Sequence, residues 1–482
     1  MPNFVASVGM EVHAELNTNS KMFCRCPVAF GGEPNTRVCP ICLGLPGTLP
    51  VPNKRAIEFV LRTALALNCK IAMRSIFHRK NYFYPDLPKG YQVSQYGETN
   101  PLGYDGYLEI PNKEGEIKRV KIRRVHLEED TGKLMHLPSG GSGVDYNRAG
   151  VPLMEIVTEF PPDITNPEEA KDYLQQLRQT LLYLGVCDGK MEEGSLRCEP
   201  NISVRLEGSD NYGTKTELKN LNSFRSVQLG VQFEVRRQIA TLEQGGKIAQ
   251  ETRGWSEEKS ASYLMRVKEA ENDYRYFPDP DLIPMAFDEE YISRLRSDLP
   301  ELPLAKFRRY QESFGLSAQH ADVLCDDLEK AEFFEQAVSL GGEPQAINNW
   351  LTGDFAMLLK DKGQAPKDSN VSPQHLVDLT KLVAEGTISG KTAKDVFKSA
   401  FESGKMPSEI VKESGATQIS DESAIRHTAL GVLKNNPDVV EKYKSGQVNV
   451  KGFLVGQVMR GSGGRANPEI VQRIVGEELE KL

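Results

Sequence analysis

The sequence predicts an α+β fold in which a strand-rich region is followed by two helical ones. A chain of 482 residues exceeds what one compact core usually holds, so about three domains are expected. Up to about residue 290, short alternating segments are separated by Gly, Pro and Asn turns, a pattern typical of strands. A proline-rich run at 277–284 ends this pattern, and apolar residues then recur at helical spacing. We therefore expect domains at 1–290, 291–407 and 408–482.

Within the first region, strands are predicted where apolar and polar residues alternate, and helices where apolar residues lie three or four apart. One helix should begin after Asn166, since an asparagine followed by proline is a typical N-cap with proline at the first helical position. The expected strands are Val8–Leu16, Arg119–Glu128, Asn201–Leu206 and, with weaker alternation, Thr214–Lys219. The expected helices are Asn53–Leu67 and Pro167–Leu184.

The middle region carries apolar stripes at helical spacing, which indicate core-facing helices. Ser317 is a candidate N-cap, and Ser372 followed by Pro373 opens a further helix. The stripe behind Ser317 consists of Leu324, Leu328, Ala331, Phe334 and Val338, and the stripe behind Ser372 consists of Leu376, Leu379 and Val383.

The last region begins near Met406 and contains a predicted flexible, cationic loop at Met459–Arg465. Residues 408–482 contain ten Lys plus Arg and ten Asp plus Glu, so the region as a whole is neutral. Any contact of this region with nucleic acid would therefore depend on the loop.

The whole chain carries a formal net charge of −8, with 39% hydrophobic and 26% charged residues, as is ordinary for globular proteins. The negative charge argues against a protein that coats nucleic acid through bulk electrostatics. No apolar run approaches the roughly 18 residues of a membrane span, and the first residues lack a signal-peptide pattern. We therefore expect a cytoplasmic protein with no membrane partner.

Four of the eight cysteines form two close pairs near the start of the chain. Two such pairs, brought together by a loop, place four thiolates around Zn²⁺, and a site closed by four cysteines is structural. The alternative is four free thiols in a reducing compartment. The predicted zinc knuckle, at residues 24–42, uses Cys24, Cys26, Cys39 and Cys42, whereas Cys69, Cys187, Cys198 and Cys325 are predicted to be small buried side chains.

A face of carboxylates and imidazole is predicted on the first strand. Because residues two apart share a face of a strand, Glu11, His13 and Glu15 point one way. This combination suits a hard divalent cation, and Mg²⁺ is the expected ion where phosphates also bind. The alternative is the solvated polar face of a half-buried strand.

Two further segments favour the cation. Glu128, Glu129 and Asp130 are adjacent acids at the end of a basic strand, and such acids repel one another unless they are solvated or bridged by a cation. Glu155 lies inside an apolar run, where a buried carboxylate needs a partner. A metal shared with Glu129 and His13 would supply that partner, and a buried salt bridge to Arg148 or another cation is the alternative.

Two loops are candidates for holding a nucleotide. Asn81–Gln92 combines aromatic rings with Lys89 beside a glycine, and Asp145–Gly150 offers Arg148 to a phosphate. Neither is a P-loop, because G-x-x-x-x-G-K-[ST] does not occur in the chain. From the residues alone, the chain is interpreted as an enzyme that handles metal and phosphate.

Several of these stretches together closely resemble the B subunits of glutamyl/aspartyl-tRNA amidotransferases, and the resemblance spans nearly the whole chain. The matching segments are G-M-E-V-H-A-E-L at Gly9–Leu16, N-Y-F-Y-P-D-L-P-K-G-Y-Q-V-S-Q at Asn81–Gln95, H-L-E-E-D-T-G-K at His126–Lys133, the signature V-D-Y-N-R-A-G-V-P-L-M-E-I at Val144–Ile156, E-G-S-L-R-C at Glu193–Cys198, E-L-K-N-L-N-S at Glu217–Ser223, Y-R-Y-F-P-D-P-D-L at Tyr274–Leu282 and V-G-Q-V-M from Val455.

The resemblance implies a cradle-shaped catalytic domain related in fold to glutamine synthetase, then a helical domain, then a GatB/YqeY-type tail that contacts tRNA. It implies a heterotrimer with an amidase A subunit and a small C subunit, and misacylated tRNA and ATP as substrates. By similarity, Mg²⁺ would be bound by His13, Glu129 and Glu155, with Glu11 and Glu128 near it or at a second cation site. Nucleotide would be bound by Lys89 and Arg148, and tRNA by Lys451, Arg460 and Arg465.

Two positions depart from the family's pattern. Glu199 stands where relatives commonly have Asp, and its longer arm keeps the charge but shifts its reach. The tail loop carries Gly-Ser-Gly-Gly-Arg where relatives tend to carry lysines, so fewer phosphate contacts and weaker tRNA binding are expected.

The expected activity is ATP-dependent phosphorylation of the side-chain carboxylate of Glu-tRNA(Gln) or Asp-tRNA(Asn), followed by amidation with ammonia. The chain shows no glutaminase pattern, so ammonia should come from the partner amidase. The alternative is a protein that is not an enzyme: a non-catalytic, zinc-containing scaffold that binds tRNA, in which the acids form a solvated face.

Overall fold

The computed structural model describes residues 3–96, 101–111, 116–137, 140–267, 274–415, 422–462 and 466–481. The chain divides into two compact units, Met1–Lys306 and Phe307–Leu482. The first is mixed and built on a large sheet, and the second is helical, so the predicted α+β class with a helical C-terminal region is confirmed. Within the described ranges, no helix is both long enough and apolar enough to cross a membrane.

The first unit contains sixteen strands and four complete helices in its described part. The strands are β1 (Phe4–Glu15), β2 (Lys70–Ile71), β3 (Arg74–Ser75), β4 (His78–Asn81), β5 (Tyr91–Ser94), β6 (Gly103–Pro111), β7 (Ile117–Glu129), β8 (Lys133–His136), β9 (Ser142–Asp145), β10 (Pro152–Thr158), β11 (Leu196–Leu206), β12 (Thr216–Lys219), β13 (Glu251–Ser256), β14 (Ala261–Val267), β15 (Phe277–Pro278) and β16 (Met285–Ala286). The helices are α1 (Lys54–Ala66), α2 (Pro167–Tyr183), α3 (Phe224–Glu243) and α4 (Glu289–Ser297).

Nine strands form one sheet, in the order β14-β13-β12-β11-β1-β10-β7-β6-β2. Neighbours are antiparallel except β12 and β13, which are parallel. Three smaller sheets, β15-β4-β5, β16-β3 and β8-β9, lie outside it. The strand β1, with β11 and β10 on its two sides, is therefore the middle strand of this sheet.

Alternation along the central strands gives the large sheet one apolar face and one charged face. In β1, Met10, Val12 and Ala14 are fully buried, whereas Glu11 and His13 between them are partly exposed. The apolar side chains pack with those of α1, α2 and α3 in one core. The helices cover this face, and the opposite face is left for polar groups.

The helices on the apolar face begin at side-chain caps, which fix where each one starts. Asn53 accepts hydrogen bonds from the first turn of α1, Asn166 accepts one from Glu169 N in α2, and Ser223 accepts one from Ser226 N in α3. These bonds satisfy amide groups that have no partner inside the helix. The predicted cap at Asn166 is confirmed, as are the helices expected at 53–67 and 167–184.

The predicted strands are also confirmed, with shifts at their ends: β1, β7 and β11 begin earlier than predicted, and β12 begins two residues later. The structure has β1 at Phe4–Glu15, β7 at Ile117–Glu129, β11 at Leu196–Leu206 and β12 at Thr216–Lys219. The four scattered cysteines expected to be small buried side chains are all buried.

The second unit is helical throughout its described part, and α5 crosses the division between the units. Its helices are α5 (Pro303–Phe314), α6 (Ala318–Cys325), α7 (Leu328–Ser339), α8 (Pro344–Thr352), α9 (Asp354–Lys362), α10 (Pro373–Ala384), α11 (Gly390–Ser403), α12 (Pro407–Ser414), α13 (Glu422–Asn435), α14 (Pro437–Lys444), α15 (Lys451–Gly461) and α16 (Pro468–Lys481), with short 3-10 turns at Pro366–Asp368 and Val448–Val450.

Two separate cores stabilise the second unit. One contains buried residues from Tyr310 to Val411, and the other contains buried residues from Ile425 to Leu479.

The predicted division into 1–290, 291–407 and 408–482 stays a prediction. Ile292 and Leu295 of α4 pack in the core of the first unit.

The apolar stripe behind Ser317 belongs to two helices. Ser317 caps α6 as predicted, by accepting from His320 N, but the helix ends at Cys325. Asp327 then accepts from Glu329 N and Lys330 N and starts α7. A spacing of three or four residues continues across this break, so the pattern alone did not reveal it. The helix predicted after Ser372 is confirmed as α10.

The predicted loop at Met459–Arg465 is helical at its start, which corrects the prediction. Helix α15 continues to Gly461, so Met459 and Arg460 lie on its last turn, and Arg460 is exposed. Lys451 begins the same helix, and its side chain packs against Gly476 of α16. Arg465 lies outside the described residues.

One buried hydroxyl of the first unit generates a stability prediction. Tyr173 on α2 is fully buried, and its Oη has no hydrogen-bond partner among the described residues. Burying a hydroxyl without a partner costs roughly 1–3 kcal/mol. We therefore expect Tyr173→Phe to raise the free energy of unfolding of this unit by about 1 kcal/mol, measured by chemical denaturation.

Tyr310→Phe is the matched control. Tyr310 is also fully buried, but its Oη donates to Ala331 O at 3.1 Å. Removing this hydroxyl should lower the free energy of unfolding by about 1 kcal/mol. An equal destabilisation by both variants would contradict the prediction for Tyr173.

Candidate active site

The charged face of the large sheet carries a row of titratable side chains across three adjacent strands. In the strand register His13 of β1 lies opposite Glu155 of β10, and Glu155 lies opposite His126 of β7. Side chains at such paired positions point to the same face and lie close together. Glu128 follows His126 by two residues and therefore joins the same face.

The row is held together by short contacts to Glu155. Its Oε2 lies 3.0 Å from His126 Nε2 and 3.7 Å from His13 Nε2, and its Oε1 lies 3.9 Å from Arg124. His126 Nε2 also lies 3.0 Å from Glu128 Oε1. The alternative, a buried salt bridge of Glu155 to Arg148 or another cation, therefore holds for other groups and not for Arg148. The partners of Glu155 are His126, His13 and Arg124.

The electrostatics of the row follow from this geometry. Burial opposes protonation of His126, but Glu155 and Glu128 outweigh it and raise the pKa of His126 to about 9. Burial also opposes charge on Glu155, yet His126, His13 and Arg124 hold the pKa of that carboxyl well below its usual range. The row therefore favours ionised carboxylates. His13, Glu128 and Glu155 offer one ligand atom each, all within 4.8 Å of one another, which suits a divalent cation.

Glu129, predicted to join His13 and Glu155, does not do so, and Glu128 takes its place. Adjacent residues of a strand point to opposite faces. Glu129 accepts from Val93 N at 2.9 Å and forms an ion pair with Lys89. The structure therefore brings His13, Glu128 and Glu155 together, and it does not bring together the predicted ligands His13, Glu129 and Glu155.

A second group of carboxylates lies on the other side of β1. Glu11, Glu199 of β11 and Glu217 of β12 also offer ligand atoms within 4.8 Å of one another. Burial and the charge of Glu155 raise the pKa of Glu11, and Lys219 Nζ lies 2.6 Å from Glu199 and 3.3 Å from Glu217. Glu11 and Glu128 were expected near the first cation or at a second cation site, and the structure places them in different groups, with Glu128 in the first and Glu11 in the second.

Both groups open into one cavity of about 660 Å³. Its wall combines six carboxylates with seven lysine or arginine side chains and four tyrosines. The cations are Lys80, Arg123, Arg124, Arg197, Lys215, Lys219 and Arg266, the carboxylates are Glu11, Glu128, Asp130, Glu155, Glu199 and Glu217, and the tyrosines are Tyr82, Tyr96, Tyr274 and Tyr276. Phosphate groups and divalent cations are the ligands that such a mixed wall suits.

Lys80 lies between the carboxylates and the tyrosines of this cavity. Its Nζ is 4.8 Å from the ring centroid of Tyr274, which packs edge-on against Tyr82 at 5.8 Å. Burial opposes charge on Lys80, but Glu128, Tyr276 and Glu155 raise its pKa. Lys80 therefore presents a permanent positive charge to the cavity.

Lys89 and Arg148, predicted to bind nucleotide, do not line this cavity. Lys89 lies in a neighbouring cavity of about 220 Å³ beside Cys42 and Gly44. Arg148 donates to the carbonyl oxygens of Thr131 and Gly132 at 3.0 and 2.8 Å and lies 3.6 Å from Asp130. Both side chains are bound to protein groups in this structure.

The four clustered cysteines come together as predicted. Cys24, Cys26, Cys39 and Cys42 offer sulfur atoms within 4.8 Å of one another. A hydrogen bond from Cys24 lowers the pKa of Cys42 to about 4 although burial opposes this, and Cys39 N donates to its sulfur at 3.1 Å. Gly44 has a φ of +66°, which suits the tight turn after the second pair. Four thiols in this arrangement fit a closed structural metal site.

Sequence reasoning missed several residues of the site. No sequence pattern marked three of the cations, Lys80, Arg197 and Lys219, as parts of a site. Isolated cations on strands are usually solvated. Glu217 lies on the strand with the weakest predicted alternation, and Arg124 lies within the predicted strand Arg119–Glu128, where no pattern distinguishes it from the neighbouring cations. The alternation along β7 puts His126 and Glu128 on one face of the strand and Glu129 on the other. Comparing it with the alternation along β1 would have favoured His126 and Glu128 as neighbours of His13.

Two sequence families match the chain. Residues 6–293 match the family described as the GatB/GatE catalytic domain, and residues 332–479 match the family described as the GatB domain. The first match contains every residue of both carboxylate groups and all four clustered cysteines. The second lies within the helical unit.

Known proteins match over their whole length. One from Moorella thermoacetica is 51% identical over 479 residues, which cover 99% of this chain and 100% of that protein. One from Caldanaerobacter subterraneus is 52% identical and one from Thermodesulfovibrio yellowstonii is 49% identical, each over 478 residues that cover 99% of this chain and 100% of the relative. All three bear the name of the B subunit of aspartyl/glutamyl-tRNA(Asn/Gln) amidotransferase. The chain therefore belongs to the family of aspartyl/glutamyl-tRNA(Asn/Gln) amidotransferase B subunits.

Proposed function

We propose that this chain uses ATP to phosphorylate the side-chain carboxylate of Glu-tRNA(Gln), Asp-tRNA(Asn) or both, and that ammonia then converts the activated group to the amide. The observation that carries the proposal is the cavity in which two carboxylate groups face seven lysine or arginine side chains. Metal-assisted phosphoryl transfer needs both kinds of side chain.

The reaction requires activation because a carboxylate has no usable leaving group. Its oxygen attacks the terminal phosphorus of ATP, the bond to ADP breaks, and an acyl phosphate forms. Ammonia then attacks the acyl carbon, phosphate leaves with the electron pair of the broken bond, and nitrogen loses one proton. The product is Gln-tRNA(Gln) or Asn-tRNA(Asn).

The residues of the first carboxylate group fit Mg²⁺. His13, Glu128 and Glu155 converge within 4.8 Å, and the carboxylate oxygens are hard ligands. Mg²⁺ held there would neutralise charge on phosphate oxygens during transfer. Glu11, Glu199 and Glu217 form the candidate second cation site, in which Lys219 now supplies the positive charge.

The cations of the cavity have a role of their own. Lys80 and Arg124 lie beside Glu128 and Glu155, so they would bind phosphate oxygens next to the first carboxylate group. Fixed positive charges of this kind stabilise the charge that develops on transfer without having to reorient. The tyrosines near Lys80 would contact the base or sugar of a nucleotide.

The remaining parts of the proposal concern partners and the metal loop. Ammonia would be supplied by an amidase A subunit, with a small C subunit completing a heterotrimer, since relatives named as B subunits imply a complex of several chains. The four clustered cysteines would hold a structural Zn²⁺. Misacylated tRNA would be contacted by the tail, through Lys451, Arg460 and Arg465, and the reaction would take place in the cytoplasm.

Glu155→Gln tests the proposed activity directly. The variant keeps the size of the side chain but removes the charge that His13, His126 and Arg124 surround. In the complex with its partners, supplied with Glu-tRNA(Gln), ATP, Mg²⁺ and ammonium chloride, we expect phosphate release and Gln-tRNA formation to fall by at least about 100-fold. Free ammonium removes any dependence on the amidase.

Glu258→Gln, on an exposed turn between β13 and β14, is the control and should behave as wild type. Binding of tRNA by Glu155→Gln should also be unchanged. Wild-type activity in Glu155→Gln would contradict the proposed activation of the carboxylate. It would favour the non-catalytic tRNA-binding scaffold, since a scaffold tolerates this substitution.

Lys80→Met tests the proposed phosphate contact. Its loss removes a fixed positive charge next to the transferred group, so ATP-dependent phosphate release at saturating ATP should fall by about 10²–10³-fold. Lys80→Arg should recover part of the rate because it keeps the charge.

The control for this variant is Lys121→Met. Lys121 lies on β7, has 60% of its side chain exposed and pairs with Asp163 outside the cavity. Its substitution should leave phosphate release unchanged. If Lys80→Met and Lys121→Met were indistinguishable, Lys80 would have no part in phosphate transfer.

A further inference from the structure

Lys21 is a buried lysine whose surroundings the proposed reaction does not explain. Only 1% of the residue is exposed. Its Nζ donates to Cys42 Sγ at 3.7 Å and to the backbone oxygen of Tyr146 at 3.2 Å. Among the residues that the structure describes, no carboxylate oxygen lies within 4.0 Å of this ammonium group. A buried ammonium with no carboxylate at this distance has to be compensated by another group, which makes the sulfur of Cys42 the candidate partner.

The four cysteines present the opposite problem. Four thiolates around a divalent ion leave an excess of negative charge, which a protein interior solvates poorly. Cys42, the buried member of the set, is the one that Lys21 contacts. A cation at this sulfur and an excess of negative charge on the metal–thiolate group would compensate each other.

Lys21 also contacts two loops that are hydrogen-bonded to each other. Asn35, between the two cysteine pairs, donates from its backbone N to Asp145 at 3.0 Å and accepts from Tyr146 N at 2.8 Å. Arg37 N donates to the side chain of Asn147 at 2.8 Å. The loop of the cysteines and the segment 145–147 are thus one hydrogen-bonded assembly, and Lys21 is bonded to both parts.

We propose that Lys21 is a positioning residue of the four-cysteine metal site, where its buried ammonium offsets the negative charge at Cys42 and ties that sulfur to the backbone of Tyr146. The inference rests on the proposed zinc site. Groups that hydrogen-bond to metal ligands without touching the metal typically contribute 10–100-fold to metal affinity. Lys21 should contribute within that range.

The test is the zinc affinity of the full-length chain in its complex with partners, measured by competition with a chromophoric chelator. Lys21→Met, which keeps the length of the side chain and removes its charge, should weaken zinc binding by about 10–100-fold. Lys21→Arg should weaken it less. Lys54→Met, at an exposed lysine that begins α1, is the control and should bind zinc as wild type does.

A second measurement separates a role at the metal from a general role in packing. In the metal-free protein, Lys21→Met should lower the free energy of unfolding by less than it lowers the free energy of zinc binding, because the cysteines then carry less negative charge for Lys21 to offset. Lys21→Gln keeps a donor for Tyr146 O but lacks the charge, so it serves the same purpose if the methionine variant does not fold.

Two results would overturn the inference, and they are distinguishable. Wild-type zinc affinity in Lys21→Met or Lys21→Gln, or a loss of stability in the metal-free variants that matches the loss of affinity, removes the proposed role of Lys21 alone. A wild-type chain that binds no zinc at the four cysteines removes the zinc site, and the inference with it.

Discussion

The alternation of side chains along three antiparallel strands is the constraint on which the rest of the structure depends. Because β7, β10 and β1 are paired in register, His126, Glu155 and His13 form a row on one face. The same alternation sends Met10, Val12 and Met154 to the other face, where helices bury them. A slip of one residue in any strand would bury carboxylates and expose the core. Apolar burial therefore fixes the geometry of the charged site.

Charge compensation is the second feature shared by the parts of the first unit. Glu155 is surrounded by His13, His126 and Arg124, and Glu199 and Glu217 share Lys219. Removing a charged group from water is costly unless an opposite charge replaces the lost hydration. The cavity therefore holds carboxylates and cations in nearly equal numbers. In such a cavity a metal ion can take the place of a protein cation beside the carboxylates, and a phosphate can take the place of a protein carboxylate beside the cations.

The sequence predicted the elements and the cysteine cluster well, because both depend on local patterns. Alternation predicted β1 and β7, and side-chain caps predicted α2 and α10. The two close cysteine pairs are separated by one loop, which brings their sulfur atoms together. The prediction did not separate Glu128 from Glu129, because it did not use the alternation of β7, which puts the two side chains on opposite faces. Lys80 and Glu217 were missed for a different reason, as strands distant in sequence bring them to the cavity.

The register of the sheet places Glu128, and not its neighbour Glu129, beside His13 and Glu155, where a cation would bind. Binding of Mn²⁺ as a probe for Mg²⁺, measured by electron paramagnetic resonance on the assembled complex, tests this most directly. Glu128→Gln should weaken Mn²⁺ binding by at least about tenfold, since it removes a candidate ligand. Glu129→Gln should leave Mn²⁺ binding as in wild type, because that side chain is bonded to Val93 N and Lys89. The reverse result, with binding lost in Glu129→Gln and kept in Glu128→Gln, would contradict the account.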